Sequence, residues 1–114
     1  MPVKKITAST SYTDIFEVPK HHVGRITSII MTNKTPTSVD VMCTIEDHFT
    51  PDASAGVASP TATSQEVARM VVGAGLTGSL GTEELQDVRC LGTVKAICDA
   101  TEAQFFINVA YHIE

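Results

Sequence analysis

The chemistry available to this 114-residue chain rests on its four histidines, three cysteines and a run of closely spaced glycines. His21 and His22 are adjacent, just after Pro19. Neighbours on an extended strand point to opposite faces, so the two do not converge on one metal ion. A metalloenzyme sandwich of the cupin type needs an H-x-H pair, a following Glu and a distant His. No H-x-H occurs here, and His21 and His22 read as turn residues. In Glu46-Asp47-His48 an aspartate beside a histidine has the composition of a catalytic dyad, with the carboxylate orienting the imidazole. Strand neighbours diverge, and no serine stands in a nucleophile elbow. The group therefore reads as a polar strand end leading into a loop.

Gly73, Gly75 and Gly78 open a glycine-rich stretch, Val72–Gly81. A dinucleotide loop would need a preceding parallel strand, a helix opened by the glycines and an acidic residue about twenty positions on. Ser79-Leu80-Gly81 opens no helix, and no G-K-[ST] follows. Bends or bulges in extended chain are the expectation. Cys43, Cys90 and Cys98 each lie in an apolar stretch without a C-x-x-C motif. They read as buried, reduced thiols, as in a protein folded in a reducing cytoplasm. A Cys90–Cys98 bridge stays open if those positions fall on neighbouring strands. No catalytic, cofactor or metal residues are assigned, and the chain is not expected to be an enzyme.

The elements that hold these residues follow from composition. The chain has 12 Val and 9 Ile against 4 Leu, with 15 Thr. β-Branched side chains favour strands over helices. Apolar content of 43% and charged content of 18% place it among folded domains. The expectation is one all-β domain, an antiparallel β-sandwich of jelly-roll-like form with about six to eight strands. Its parts are an N-terminal arm or edge strand over residues 1–13 and a sandwich over residues 14–114. The net charge of −5, with scattered Lys and Arg, argues against nucleic acid as a partner. No apolar run reaches the length of a membrane helix, and no signal peptide is seen, so synthesis in the cytoplasm and no membrane partner are expected.

Along the chain, Asp14–Pro19 reads as a short strand and Lys20–Gly24 as a turn. Arg25–Asn33 and Val39–His48, separated by the Lys34–Ser38 turn, read as a hairpin. Val39, Val41, Cys43 and Ile45 share one face. Thr50–Ser64 is a long loop of small residues. Glu66–Val72 reads as a helical turn or a strand, and Thr82–Gln86 as one helical turn with Thr82 as its N-cap. Val88–Asp99 reads as a strand bulged near Gly92. The tight turn Ala100–Glu102 then leads into Ala103–Ile113, with Phe105, Ile107, Val109, Tyr111 and Ile113 inward, as a second hairpin.

Several strands carry apolar residues on both faces. Phe106 opposes Phe105, and Ile26 and Ile30 oppose Ile29 and Met31. A sandwich this small should show one face of each sheet to solvent, so the excess suggests a covering subunit. Ile6, Ile30 and Phe106 are the candidate partner-contact residues. Six aromatics and no Trp leave little material for a carbohydrate platform.

The segment order resembles small β-sandwich structural proteins of tailed bacteriophages. The residues that carry the likeness are Val18-Pro19, Thr32-Asn33, Val39-Asp40-Val41, Gly75-Leu76-Thr77 and Ile107–Glu114. The resemblance implies a jelly-roll-like virion protein of the capsid decoration or cement type, commonly a homotrimer on the capsid surface. Its partner would be the major capsid protein, and no cofactor is implied. A tail, neck or fibre component of the same type, or a small carbohydrate-binding sandwich, is the alternative.

Overall fold

The structure, a computed structural model, describes residues 2–36, 39–50 and 62–114. The described residues form eight strands: β1 (Val3–Ala8), β2 (Thr13–Glu17), β3 (Gly24–Asn33), β4 (Val41–Phe49), β5 (Thr63–Val72), β6 (Thr77–Leu80), β7 (Thr93–Cys98) and β8 (Glu102–Ile113). One helical turn, α1 (Thr82–Leu85), joins β6 to the segment before β7. Its N-cap is Gly81 rather than Thr82. The Glu84 carboxylate reaches back to accept the Gly81 N–H at 2.9 Å.

Two four-stranded sheets result, with orders β1-β8-β3-β6 and β2-β7-β4-β5. Every pairing is antiparallel. This interleaving of two Greek keys is jelly-roll topology. It corrects both expected hairpins. β3 pairs with β8 and β6, while β4 pairs with β5 and β7, so the chain between β3 and β4 crosses from one sheet to the other. The Ala100–Glu102 region likewise carries the chain from β7 in the second sheet to β8 in the first. Turn residues signal a reversal of direction, but long-range pairing decides which sheet receives the next strand. β4 and β5 alone are neighbours in both chain and sheet. The expected loop at 50–64 falls mostly outside the described residues, and Thr63 and Ser64 belong to β5.

The N-terminal segment is an edge strand of its own sheet: Val3–Ala8 pairs with β8. Period-two alternation sets the core. Phe105, Ile107 and Val109 of β8, Ile29 and Met31 of β3, and Val41, Cys43 and Ile45 of β4 are fully buried between the sheets. Tyr111 sits at the margin, stacked on Phe16 at 4.1 Å, and Ile113 emerges into solvent. Ile26 was expected on the outer face with Ile30. A bulge between Ile26 and Ser28 shifts the register by one residue and turns Ile26 inward, where it is buried.

Two buried polar side chains tie the sandwich ends together. Asn33 donates from Nδ2 to the carbonyls of Val39 and Val72, and its Oδ1 accepts from the Thr35 N–H and hydroxyl. Asp47 lies on the inner face of β4 and accepts the backbone N–H groups of Leu91 and Gly92 and the Gln65 amide. At that corner Gly92 runs so close to the His48 carbonyl that a Cβ there would collide with it, which makes glycine obligatory.

The cysteines also depart from expectation. Cys43 and Cys98 face each other in the β4–β7 ladder, with Cα atoms 4.2 Å apart, and are joined as a disulfide. The reading of three reduced thiols is thereby corrected, and Cys98 pairs with Cys43 rather than Cys90. Cys90 is a free, buried thiol before β7, where its backbone bridges Gly24. Burial, reinforced by the charge of Asp47 and opposed by Arg25, pushes its thiol up to about 12.

Candidate functional site

The two outward faces of the sandwich differ in chemistry. On the first sheet, three cross-strand rows point away from the core. They are Val3–Ala110–Ser28, Lys5–Asn108–Ile30–Ser79 and Thr7–Phe106–Thr32–Thr77. Lys5 is the only charged residue in these rows. Ile30 is 40% exposed in their midst. Phe106 is half-buried, its ring covered by the Lys5 ammonium at 4.4 Å from the centroid. Of the three candidate contact residues, Ile30 and Phe106 therefore lie two rungs apart on one outer face. Ile6 does not join them. It opposes Ile107 in the ladder, faces the core and is only 8% exposed, so it has no surface to offer a partner.

The outward face of the second sheet is polar at the end that carries His48 and apolar at the other, where Met42, Ile97 and exposed Val71 lie. One row crosses all four strands: Glu17 of β2, Thr93 of β7, His48 of β4 and Ser64 of β5. All four line a cleft of about 500 Å³ whose other walls include Phe49 and the exposed Leu91. The next row holds Asp14 and Lys95, whose charged groups are 3.8 Å apart, with Glu46 opposite Lys95.

Tyr12, from the segment before β2, lies beside this face. Its hydroxyl donates to the Glu46 carboxylate at 3.1 Å, and its ring meets the His48 ring edge-on at 4.9 Å. Accepting that hydrogen bond, the Glu46 carboxylate raises the Tyr12 hydroxyl above its usual range. The same carboxylate oxygen is 3.1 Å from His48 Nε2, but off the direction a hydrogen bond needs, so this buried nitrogen has no aligned partner. The pair on this face is therefore Glu46–His48. Asp47 points the other way, into the core, as expected from the divergence of strand neighbours.

Period two was the signal in the sequence for the Glu46–His48 pair, since residues i and i+2 share a face. Nothing local announced Tyr12, which is brought in by the β2–β7–β4 pairing. His21 and His22 occupy the turn, as read. His21 takes a left-handed φ of 69°, and His22 Nδ1 lies 3.0 Å from the Glu114 carbonyl. Gly75 also bends the chain with a positive φ, and Gly78 lies within β6. Among the described residues, no three His, Cys, Asp or Glu side chains stand together as metal ligands, and no helix is long and apolar enough to cross a membrane. No protein-family model, curated protein or solved structure matches the chain.

Proposed function

We propose that this protein is a non-enzymatic virion structural protein, a capsid decoration protein that docks on the phage head shell and self-associates as a trimer. The observation that carries the reading is the outward face of the first sheet. Eleven of its residues combine exposed Ile30 and half-buried Phe106 with Val3 and small hydroxyl, amide and methyl groups, and Lys5 is their only charge; the charged groups Arg25, His112 and Glu114 are gathered at one end of the face. In a chain of net charge −5, this is the face where approach of another protein desolvates the fewest charges. The opposite face carries Asp14, Glu46, Glu66, Arg69 and Lys95, and suits solvent. The jelly roll supports the reading at the level of architecture, because capsid domains use it, as do lectins and cupins.

The test is an outward charge. Ile30→Lys leaves the core untouched and places a second cation two strands from Lys5 in the same row. Native mass spectrometry of the wild-type chain is expected to show trimers, and Ile30→Lys to shift them to monomers. Cosedimentation with emptied head shells should fall with the same substitution, by about tenfold or more in affinity. A wild-type chain that stays monomeric and ignores the shells would overturn the proposal.

A further inference from the structure

We infer that the cleft on the outward face of the second sheet is a binding site for a neutral oligosaccharide. The inference does not depend on the proposal for the first sheet, which concerns the opposite face.

Three observations support it. The first is shape. Glu17, Thr93, His48 and Ser64 form a straight floor across four strands, about 14 Å from first to last at the usual strand spacing. The cleft above it is open, so an extended chain can lie along it, and its volume is that of a small-molecule site. The second is the kind of group presented. Thr93, Ser64 and Thr63 offer hydroxyls that both donate and accept, and Glu17 offers a carboxylate that only accepts. A sugar presents both donors and acceptors and is satisfied by that mixture.

The third is the pair of flat apolar surfaces. Tyr12 is 48% exposed. Its hydroxyl is held by Glu46 and its ring by His48, so it is a fixed plane. Tyr12 stands beside the cleft, against the lining residue His48, and Phe49, which follows His48 on β4, is itself part of the lining. Rigid aromatic planes receive the C–H face of a pyranose at little entropic cost. The electrostatics choose between neutral and acidic sugars. Glu17 and Glu46 face this region, and the Lys95 ammonium is shared with Asp14. A uronate or sialylated chain would bring its own carboxylates against Glu17 and Glu46.

The experiment is a titration of the ¹⁵N-labelled full chain with cellohexaose, maltohexaose and mannohexaose, and with a galacturonate oligomer as the acidic counterpart. At least one neutral hexaose is expected to move the amide signals of Tyr12, His48 and Thr93. Tyr12→Ala should weaken that binding about tenfold or more, while Tyr12→Phe, which keeps the ring, retains most of it. Glu17→Gln, at an exposed strand end where misfolding is not at issue, should weaken it severalfold. Ile30→Lys should leave it unchanged, which separates this site from the docking face. No response to any neutral hexaose, a response only to the galacturonate, or a response undiminished in both Tyr12→Ala and Glu17→Gln would overturn the inference.

Discussion

Replacing Asp47 by alanine is expected to cost at least about 3 kcal/mol of stability and to lower the urea midpoint by roughly 1.5–2 M. The carboxylate is completely buried and accepts three hydrogen bonds: Leu91 N–H at 2.8 Å, Gly92 N–H at 2.9 Å and Gln65 Nε2 at 3.0 Å. Each donor that loses its acceptor inside the protein loses the full solvation of an N–H group, about 1–3 kcal/mol apiece. The two backbone donors cannot turn elsewhere. Gly92 is wedged against the His48 carbonyl, and its own carbonyl is taken by the Val18 N–H. The wedge that makes Gly92 obligatory and the carboxylate that satisfies its N–H thus act at one corner, where the segment before β7 meets the end of β4. Asp87→Ala, at an exposed aspartate, is the control and should stay within about 0.5 kcal/mol of wild type. Equal urea midpoints for the two variants would sink the assignment.

The same corner shows how much could be read from the sequence. Val41, Cys43 and Ile45, and Phe105, Ile107 and Val109, were legible as core because one face of each strand is buried and period two is local information. The class of fold followed from the β-branched composition. What was not legible is what depends on strand neighbours. Asp47 continues the inward alternation of β4, but its partners come from residues 65, 91 and 92, and no local rule places them beside it. The turn residues read at 34–38 and 100–102 stand where the chain leaves β3 and β7. In a jelly roll the next strand goes to the opposite sheet, so good turn chemistry led to two wrong hairpins. Ile26 went astray for a smaller reason: one extra residue in a bulge inverts every side-chain direction beyond it.

The candidate surfaces divide in the same way. The outward position of Ile30 and Phe106 was legible because their own strands carry apolar residues on both faces. Ile6 was misplaced because β1 pairs along β8 in a register that puts it opposite Ile107. The cleft floor, Glu17–Thr93–His48–Ser64, takes one residue from each of four strands, between positions 17 and 93 of the sequence, and only the sheet order assembles it. Strand order therefore does two jobs here. It gathers mostly uncharged residues across the middle of one outer face, and hydroxyls and carboxylates at one end of the other.

Reducing the Cys43–Cys98 bond is expected to lower the stability by about 4 kcal/mol, a fall of roughly 15 °C in melting temperature for a domain of this size. The bond closes a sequence separation of 55 residues, which contains β5, β6 and α1. Restricting that length of unfolded chain is the source of the effect, because the β4–β7 ladder already holds the two cysteines opposite each other when folded. Forming the bond takes two electrons and two protons from the thiols, and so needs an oxidant such as glutathione disulfide. The pattern of accessible thiols makes this measurable. Without reductant, the folded chain should label at no cysteine, since Cys90 is buried and its thiol is pushed up to about 12. Unfolded without reductant it should label once, and after reduction three times. Melting with and without reductant should differ for the wild-type chain and coincide for Cys43→Ala/Cys98→Ala. Three labels on the unfolded, unreduced chain would show that the bond does not form. An equal melting temperature in both conditions, with the bond shown to be reduced, would show that loop closure adds nothing. A protein synthesised in a reducing cytoplasm would lack this bond during assembly and gain it on reaching an oxidising exterior. On the proposed reading as a particle protein, resistance to unfolding would rise only once the shell is outside the cell.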